Sequence, residues 1–481
     1  MLNLIHRYKS LPRVAKSTIW FTFCNFLLLG LGFITGPIFT RILIPEEYGR
    51  LTLFLSYEQI ILVLCTWEIF SGGYQKGLFK YDDEKPFSAR TLVLMNVITT
   101  LCFFLLLLFE SEVREFTEIS SLNLLLIYIY LLCFPAYQMW TIRNRKAYVY
   151  EKVVPLTIFY TIASIIVSLL AVYFISATAN VRFSATLISS IAICAIFYIK
   201  TLSGLDFNID NNTKQQIKFL IAYQLPLVLH SLSYFLLNQA DRVMIGKMIG
   251  NSEAAFYGVA YTIASTVGIL QNSLNQSLTP WRFQKLKDRE FKQVKDSTNV
   301  LLILVGGFIL CILIIMPEVM KLLFTEDYYQ AVWCVPPVAA GVYFMFLYSI
   351  FVSIESYYEK TTYIMMVSIS CGILNIALNY ICIPRFGYVS SAYTTLVSYI
   401  MFSLLHYAAA RKVMKHTGGI SSAISSTAVI LISAGFLICT FAIMALYNTI
   451  WVRYILVMII LCTFLVKRRM IIDKVEMYRN K

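Results

Sequence analysis

Apolar runs of roughly 18–25 residues recur from one end of this chain to the other, each about as long as a helix that crosses a bilayer. A chain made of such runs has few folds open to it. In lipid every backbone amide must be bonded inside the structure, which leaves helices or closed barrels, and these runs are too long for barrel strands. Of the 481 residues 59% are hydrophobic and 14% charged, against about 25% charged in soluble domains. The expected class is therefore an all-α, polytopic integral membrane protein.

Fourteen spans are expected, near 17–39, 51–71, 91–109, 122–140, 153–175, 183–199, 217–238, 254–278, 299–323, 331–353, 363–383, 389–410, 421–447 and 451–466. On these boundaries the N-terminal tail, every second connection and the C-terminal tail hold 31 of the 40 Lys and Arg residues. Cytoplasmic segments collect basic residues, so both termini are expected in the cytoplasm and the protein in the inner (plasma) membrane. The same bias accounts for the net charge of +14 without nucleic acid. Residues 1–16 read as a basic interfacial segment and 467–481 as a basic cytoplasmic tail.

No expected loop is long enough for a soluble catalytic domain. No G-x-x-x-x-G-K-[ST] phosphate loop, HExxH or GxSxG motif occurs, which weighs against direct use of ATP and against an enzyme. The eleven cysteines lie in or beside apolar runs without zinc spacing, so they read as small buried residues, with no metal and no cofactor expected.

Two short patterns recur. TRILIPEEYGRLTLF carries Arg41 and Tyr48-Gly49, and DRVMIGKMIGNSEAAFYGVAY carries Arg242 and Tyr257-Gly258. YVYEK at 148–152 and SYYEK at 356–360 form a second pair, and the two offsets are 201 and 208 residues. They suggest duplicated six-helix halves, 17–200 and 217–410, joined by a cytoplasmic linker at 201–216. An even number of spans gives both halves one orientation, the arrangement of parallel-repeat transporters that rock about a central site. Residues 421–466 then form two additional helices.

The stretch from KSTIW through GPIFTRILIPEEYGRLTLF resembles the opening of Wzx-type polysaccharide flippases, of the multidrug/oligosaccharidyl-lipid/polysaccharide exporter superfamily. QADRVMIGKMIG with YGVAYTIA, FTEDYYQAVWCVPPV and LNIALNYICIPRFGYVSSAYTTLVSY extend the resemblance over about residues 15–410. VSSAY at 389–393 departs from the Gly-Ala-Ala step common in such proteins. The resemblance implies two bundles around a central cavity. It also implies a polyprenyl-pyrophosphate-linked oligosaccharide as substrate, membrane lipids as surroundings, and polymerase and other envelope assembly proteins as partners. An organic-cation antiporter on the same fold is the nearest rival. A polysaccharide polymerase or a non-transporting assembly partner are rivals of other classes.

Ionisable groups inside spans are costly and therefore informative. Glu58, Glu68 and His230 are candidates for coupling to a proton or sodium ion or for lining the cavity, while a hydrogen-bonded interior side chain is the plain alternative. His406 is expected to snorkel to water. Gln271, Asn272, Asn275 and Gln276 form an amide face by their spacing of four, suited to sugar hydroxyls or to stitching helices together. Asn375 and Asn379 read as packing residues. Arg41 and Arg242 are expected at matching depth at the outer ends of spans 1 and 7. There they would bind an anionic headgroup, or close an outer gate with Glu46, Glu47 or Asp241.

Overall fold

The computed structural model describes residues 11–204, 211–266, 268–358, 360–416, 423–456 and 458. The first ten residues, part of the expected linker, most of the expected last span and the basic C-terminal tail lie outside them. The described residues form helices and no strands. We number the long helices α1 (Arg13–Ile42), α2 (Pro45–Thr66), α3 (Glu84–Leu107), α4 (Ser121–Lys146), α5 (Tyr150–Phe174), α6 (Ala179–Leu202), α7 (Asn211–Met248), α8 (Asn251–Thr266), α9 (Gly268–Lys287), α10 (Phe291–Ile314), α11 (Val335–Tyr357), α12 (Thr361–Phe386), α13 (Val389–Val413) and α14 (Ser426–Ala445).

Local chemistry sets the helix ends. Pro45 at the first turn of α2 fits a position whose amide needs no partner. The Ser120 and Thr178 hydroxyls accept from the amides of Asn123 and Val181, capping α4 and α6. Gly387, with φ of +72°, makes the tight turn between α12 and α13. The end of α2 is less ordinary, because Trp67 and Glu68 are both left-handed. Such residues cost about 1–3 kcal/mol each and persist where neighbours hold them. Here Gln224 of α7 does so, donating to the Trp67 carbonyl at 2.8 Å and accepting from the Gly73 amide at 2.9 Å.

Among the described residues eleven helices are long and apolar enough to span a membrane. The expected span 254–278 covers most of α8 and the first part of α9, which lie on either side of residue 267, itself outside the described residues. The span 389–410 lies in α13, whose buried Thr394, Thr395, Ser398 and Ser403 find partners inside the protein and need no apolar surroundings. Helix α7 begins at Asn211, so the expected linker is shorter than 201–216.

Helices α1–α6 form one bundle and α7–α13 another, with α14 packed on α10. We call the face holding the start of α1 the basic face and the opposite one the far face. The halves meet closely at the far face, where α2 crosses α7 and α8. A Cβ on Gly49 would lie 1.6 Å from the Asn251 carbonyl oxygen, and one on Gly258 would lie 2.9 Å from Thr52 Cγ2. Both glycines of the repeated Tyr-Gly pair are therefore close-approach positions. Farther along, Gly30 and Gly32 of α1 have no neighbouring group within 4 Å.

Candidate functional site

The polar groups that join or flank the two halves fall into three sets. At the far face, Lys247 of α7 contacts Glu118 at 3.0 Å, and Glu118 contacts Arg50 of α2 at 3.1 Å. Arg50 also meets Glu47 at 2.5 Å and Glu46 at 3.4 Å, while Glu47 accepts from the Ala179 amide at 2.6 Å. Burial alone would raise the Glu118 carboxyl, but Lys247 and Arg50 outweigh it and hold the group below its ordinary range. An ionic latch thus spans the halves, but its cations are not the expected ones.

Arg41 donates to the Leu322 carbonyl at 3.2 Å. Arg242 bonds Gln239 and lies 4.3 Å from the ring centre of Tyr261. Among the described residues neither arginine is ion-paired with Glu46, Glu47 or Asp241, which corrects the expected pairing. Nor do the two hold the same place in their helices. Arg41 stands in the last turn of α1, whereas α7 runs on past Arg242 to Met248. Arg182, which sequence reasoning passed over as one basic residue in a short connection, stands over the Phe39 ring at 3.4 Å. Arg182 from one half and Arg242 from the other both act on Tyr48 between them.

The second set surrounds Asp241. This carboxylate is fully buried rather than placed at a gate. Its Oδ2 accepts from Tyr257 at 2.6 Å and Thr395 at 2.5 Å, and its Oδ1 accepts from Asn379 at 2.6 Å. Asn375 accepts from Asn379 at 3.2 Å, and Thr394 donates to Asn379 at 2.5 Å. Asn375 and Asn379, expected as packing residues, therefore belong to a polar cage drawn from α7, α8, α12 and α13. One turn before Asp241, Asn238 accepts from Tyr261 and Tyr399, each at 2.8 Å. Carboxylate, hydroxyl and amide oxygens in a dry pocket suit a proton or a hard cation. No cluster of three His, Cys, Asp or Glu side chains occurs among the described residues.

The third set lies within the first half. Glu58 is buried, with a relative exposure of 7%, and lies near Tyr130 of α4 and Tyr160 of α5. Beside it, hydroxyls stitch the bundle together: Tyr137 with Thr157 at 3.1 Å, Tyr160 with Ser190 at 2.8 Å, and Ser168 with Thr186 at 2.9 Å. Glu68, at the strained end of α2, lies near Ser231 of the other half. The side chains of His230, Asn272 and Gln276 lie outside the described residues. Gln271 is buried, and Asn275 accepts from Ser349 of α11 at 3.0 Å, so Asn275 is used between helices.

His406 does not snorkel. It is fully buried against Glu355, with Nδ1 2.9 Å from Oε1. Glu355 escaped the sequence reading because the expected span ended at 353, and Asp241 was read as a gate residue because its expected span ended at 238.

The polysaccharide biosynthesis protein family matches residues 14–287, and the MatE family matches residues 226–381. Lsg locus putative protein 1 of Haemophilus influenzae is 21% identical over 54% of this chain and 63% of its own length. An uncharacterized membrane protein of Methanocaldococcus jannaschii is 25% identical over 41% of this chain and 47% of its own. The matches thus span about half to three-fifths of these relatives' lengths. Among solved structures, an inward-facing MATE family multidrug resistance transporter superposes with a TM-score of 0.63 at 12% identity, covering 82% of this chain and 96% of that one. The lipid II flippase MurJ in an inward closed conformation gives 0.62 at 15% identity, covering 94% of this chain and all of that one. The fold is that of the multidrug/oligosaccharidyl-lipid/polysaccharide exporter superfamily.

Proposed function

The chain belongs to the polysaccharide biosynthesis protein family, and from that premise we propose that it flips a polyprenyl-pyrophosphate-linked oligosaccharide across the inner membrane by alternating access. The observation that carries this reading is the junction of the α1–α6 and α7–α13 bundles at one face. Close glycine contacts and an ionic latch join them there, so the junction can open without breaking either bundle. The cytoplasm lies at the basic face, in keeping with the distribution of Lys and Arg, and the far face is outside.

In this reading Arg182 and Arg242, one from each half, receive the pyrophosphate, for which guanidinium forks are well shaped. The Asp241 cage couples the cycle to a proton or sodium ion, and Glu58 is a second coupling candidate. The reaction makes and breaks no covalent bond. The released glycan would pass to a polymerase and other envelope assembly proteins. The MatE match favours a second reading, export of an organic cation, for which the buried carboxylates would serve as ligands.

Proteoliposomes containing a fluorescent polyprenyl-pyrophosphate oligosaccharide test the two readings. Protein-dependent loss of protection from an external quencher, together with unchanged retention of ethidium, is expected. Ethidium efflux without lipid movement would overturn the flippase reading in favour of the antiporter.

A further inference from the structure

A hollow of about 180 Å³ opens at the basic face of the first half, between the start of α3 and the ends of α4 and α6. Three cations line it: Lys85, Arg143 and Lys200. Neighbouring basic residues are engaged elsewhere. Lys146 contacts Glu84 at 2.9 Å and the Leu78 carbonyl at 2.6 Å, while Arg145 lies over the Phe21 ring at 5.1 Å. Among the described residues none of the three cations in the hollow is ion-paired. Like charges held together without a counter-charge are unfavourable unless an anion joins them.

The rest of the lining indicates what kind of anion. Trp140 and Phe197, with ring centres 4.8 Å apart, form one wall. Tryptophan at this depth marks the level of lipid headgroups. Thr201 and Ser203 add hydroxyl groups to the lining, with that of Ser203 donating to the Lys200 carbonyl at 2.9 Å. A free anion gains nothing from the aromatic wall, whereas a phosphate carried by a lipid places its glycerol or isoprenyl stem against it.

We propose that this hollow binds a lipid-borne phosphate in the leaflet at the basic face, with Arg143 as the fork and Lys85 and Lys200 as flanking charges. Two lipids carry that chemistry: an anionic glycerophospholipid, through its phosphodiester, and a polyprenyl diphosphate. The site lies outside the cleft between the halves, and the proposal stands or falls independently of transport.

Native mass spectrometry of the full-length protein in detergent, titrated with phosphatidylglycerol, polyprenyl diphosphate or inorganic phosphate, tests it. One lipid should bind the wild type in preference to phosphatidylcholine. The Lys85→Gln, Arg143→Gln, Lys200→Gln variant should lose roughly fivefold affinity for each cation removed. Changing three exposed lysines elsewhere on this face, Lys152→Gln, Lys287→Gln and Lys292→Gln, should leave binding unchanged. If the hollow triple variant does not fold, Lys200→Gln alone, at an exposed position, should still show its fivefold loss. A stronger response to phosphatidylglycerol assigns the site to membrane phospholipid, and a stronger response to the diphosphate assigns it to the carrier lipid. Equal losses in the two triple variants, no loss in Lys200→Gln, or inorganic phosphate binding as tightly as either lipid would each overturn the proposal.

Discussion

The ammonium of Lys247 on α7 lies 3.0 Å from the carboxylate of Glu118, so the outgoing end of one half is tied to a connection of the other. Arg50 holds the same carboxylate at 3.1 Å, and a loss of Glu118 removes the shared anion from two cations. Glu118→Lys should therefore favour the state in which the far face is open. Lys247→Glu in the same chain should restore part of the closure. Accessibility of a cysteine at Asn251 to a membrane-impermeant thiol reagent reports the change. Unchanged labelling in Glu118→Lys would show that the latch does not hold the face shut.

The latch also has a pH signature. The Glu118 carboxyl is held below its ordinary range by its two cations, against the opposing effect of burial, so its contribution is present above the ordinary carboxylate pKa of about 4.3. It is lost only as the pH falls through the lower value of the folded state. Labelling of the same cysteine, divided at each pH by that of a fully exposed reference cysteine to remove the change in thiolate fraction, should stay level from about pH 8 to 5 and rise only in stronger acid. A rise centred near neutrality would assign the opening to another group.

Gly49 has no room for a side chain. Any Cβ would lie 1.6 Å from the Asn251 carbonyl oxygen, and that neighbour is backbone, which cannot turn aside. Gly49→Ala should cost about 1–3 kcal/mol by overpacking and lower the melting temperature in detergent. Gly30→Ala and Gly32→Ala, where nothing lies within 4 Å, should change it little or raise it. Fluorescence-detected size exclusion after heating ranks the three.

How much of this was legible in the sequence depends on which signal carried each part. Apolar runs locate helices well because each must satisfy its backbone within lipid, and the Tyr-Gly repeat indicated two related halves. The same rule located α13 at 389–410 even though that helix buries several hydroxyls, which can be polar because other helices surround them. Arg41 and Arg242 looked equivalent because their flanking motifs match, but α7 continues past Arg242 to Met248, whereas α1 ends one residue after Arg41. Arg50 and Lys247 close the latch instead, and no local pattern could have paired residues on separate halves. Asn375 and Asn379 could be placed on one helix face by their spacing, yet their partner Asp241 is more than a hundred residues away.

Asp241 has three donors and no exposed surface. If its cage couples transport to an ion, Asp241→Asn should abolish the response of lipid flipping to an imposed ion gradient while leaving folding near that of the wild type, since Asn fits the same space. Thr395→Val should weaken the coupling less, because one of three hydrogen bonds is lost. Flipping measured with proton and sodium gradients applied in turn identifies the ion. An unaltered gradient response in Asp241→Asn would move the coupling role to Glu58.

The last prediction concerns Glu355 and His406, both with no exposed surface, whose Nδ1 lies 2.9 and 3.2 Å from the two carboxylate oxygens. Tyr348 and Phe402 enclose the imidazole at ring distances of 5.6 and 4.6 Å, and its Nε2 has no partner. The pair therefore joins α11 to α13 deep in the second half, where water cannot replace a lost partner. Removing one member of a buried pair commonly costs about 3–5 kcal/mol, whereas replacing both by apolar groups of similar size is often neutral or stabilising. His406→Phe and Glu355→Met should each lower thermal stability strongly. The His406→Phe, Glu355→Met double variant should regain most of it, giving a large non-additive term in the cycle. Transport then separates two roles. A double variant that is stable and still flips lipid marks the pair as a fixed joint between two helices. A stable double variant that no longer flips marks it as a contact that must change during the cycle. Since both groups stay on one side of the half-to-half junction, the fixed joint is the expected result.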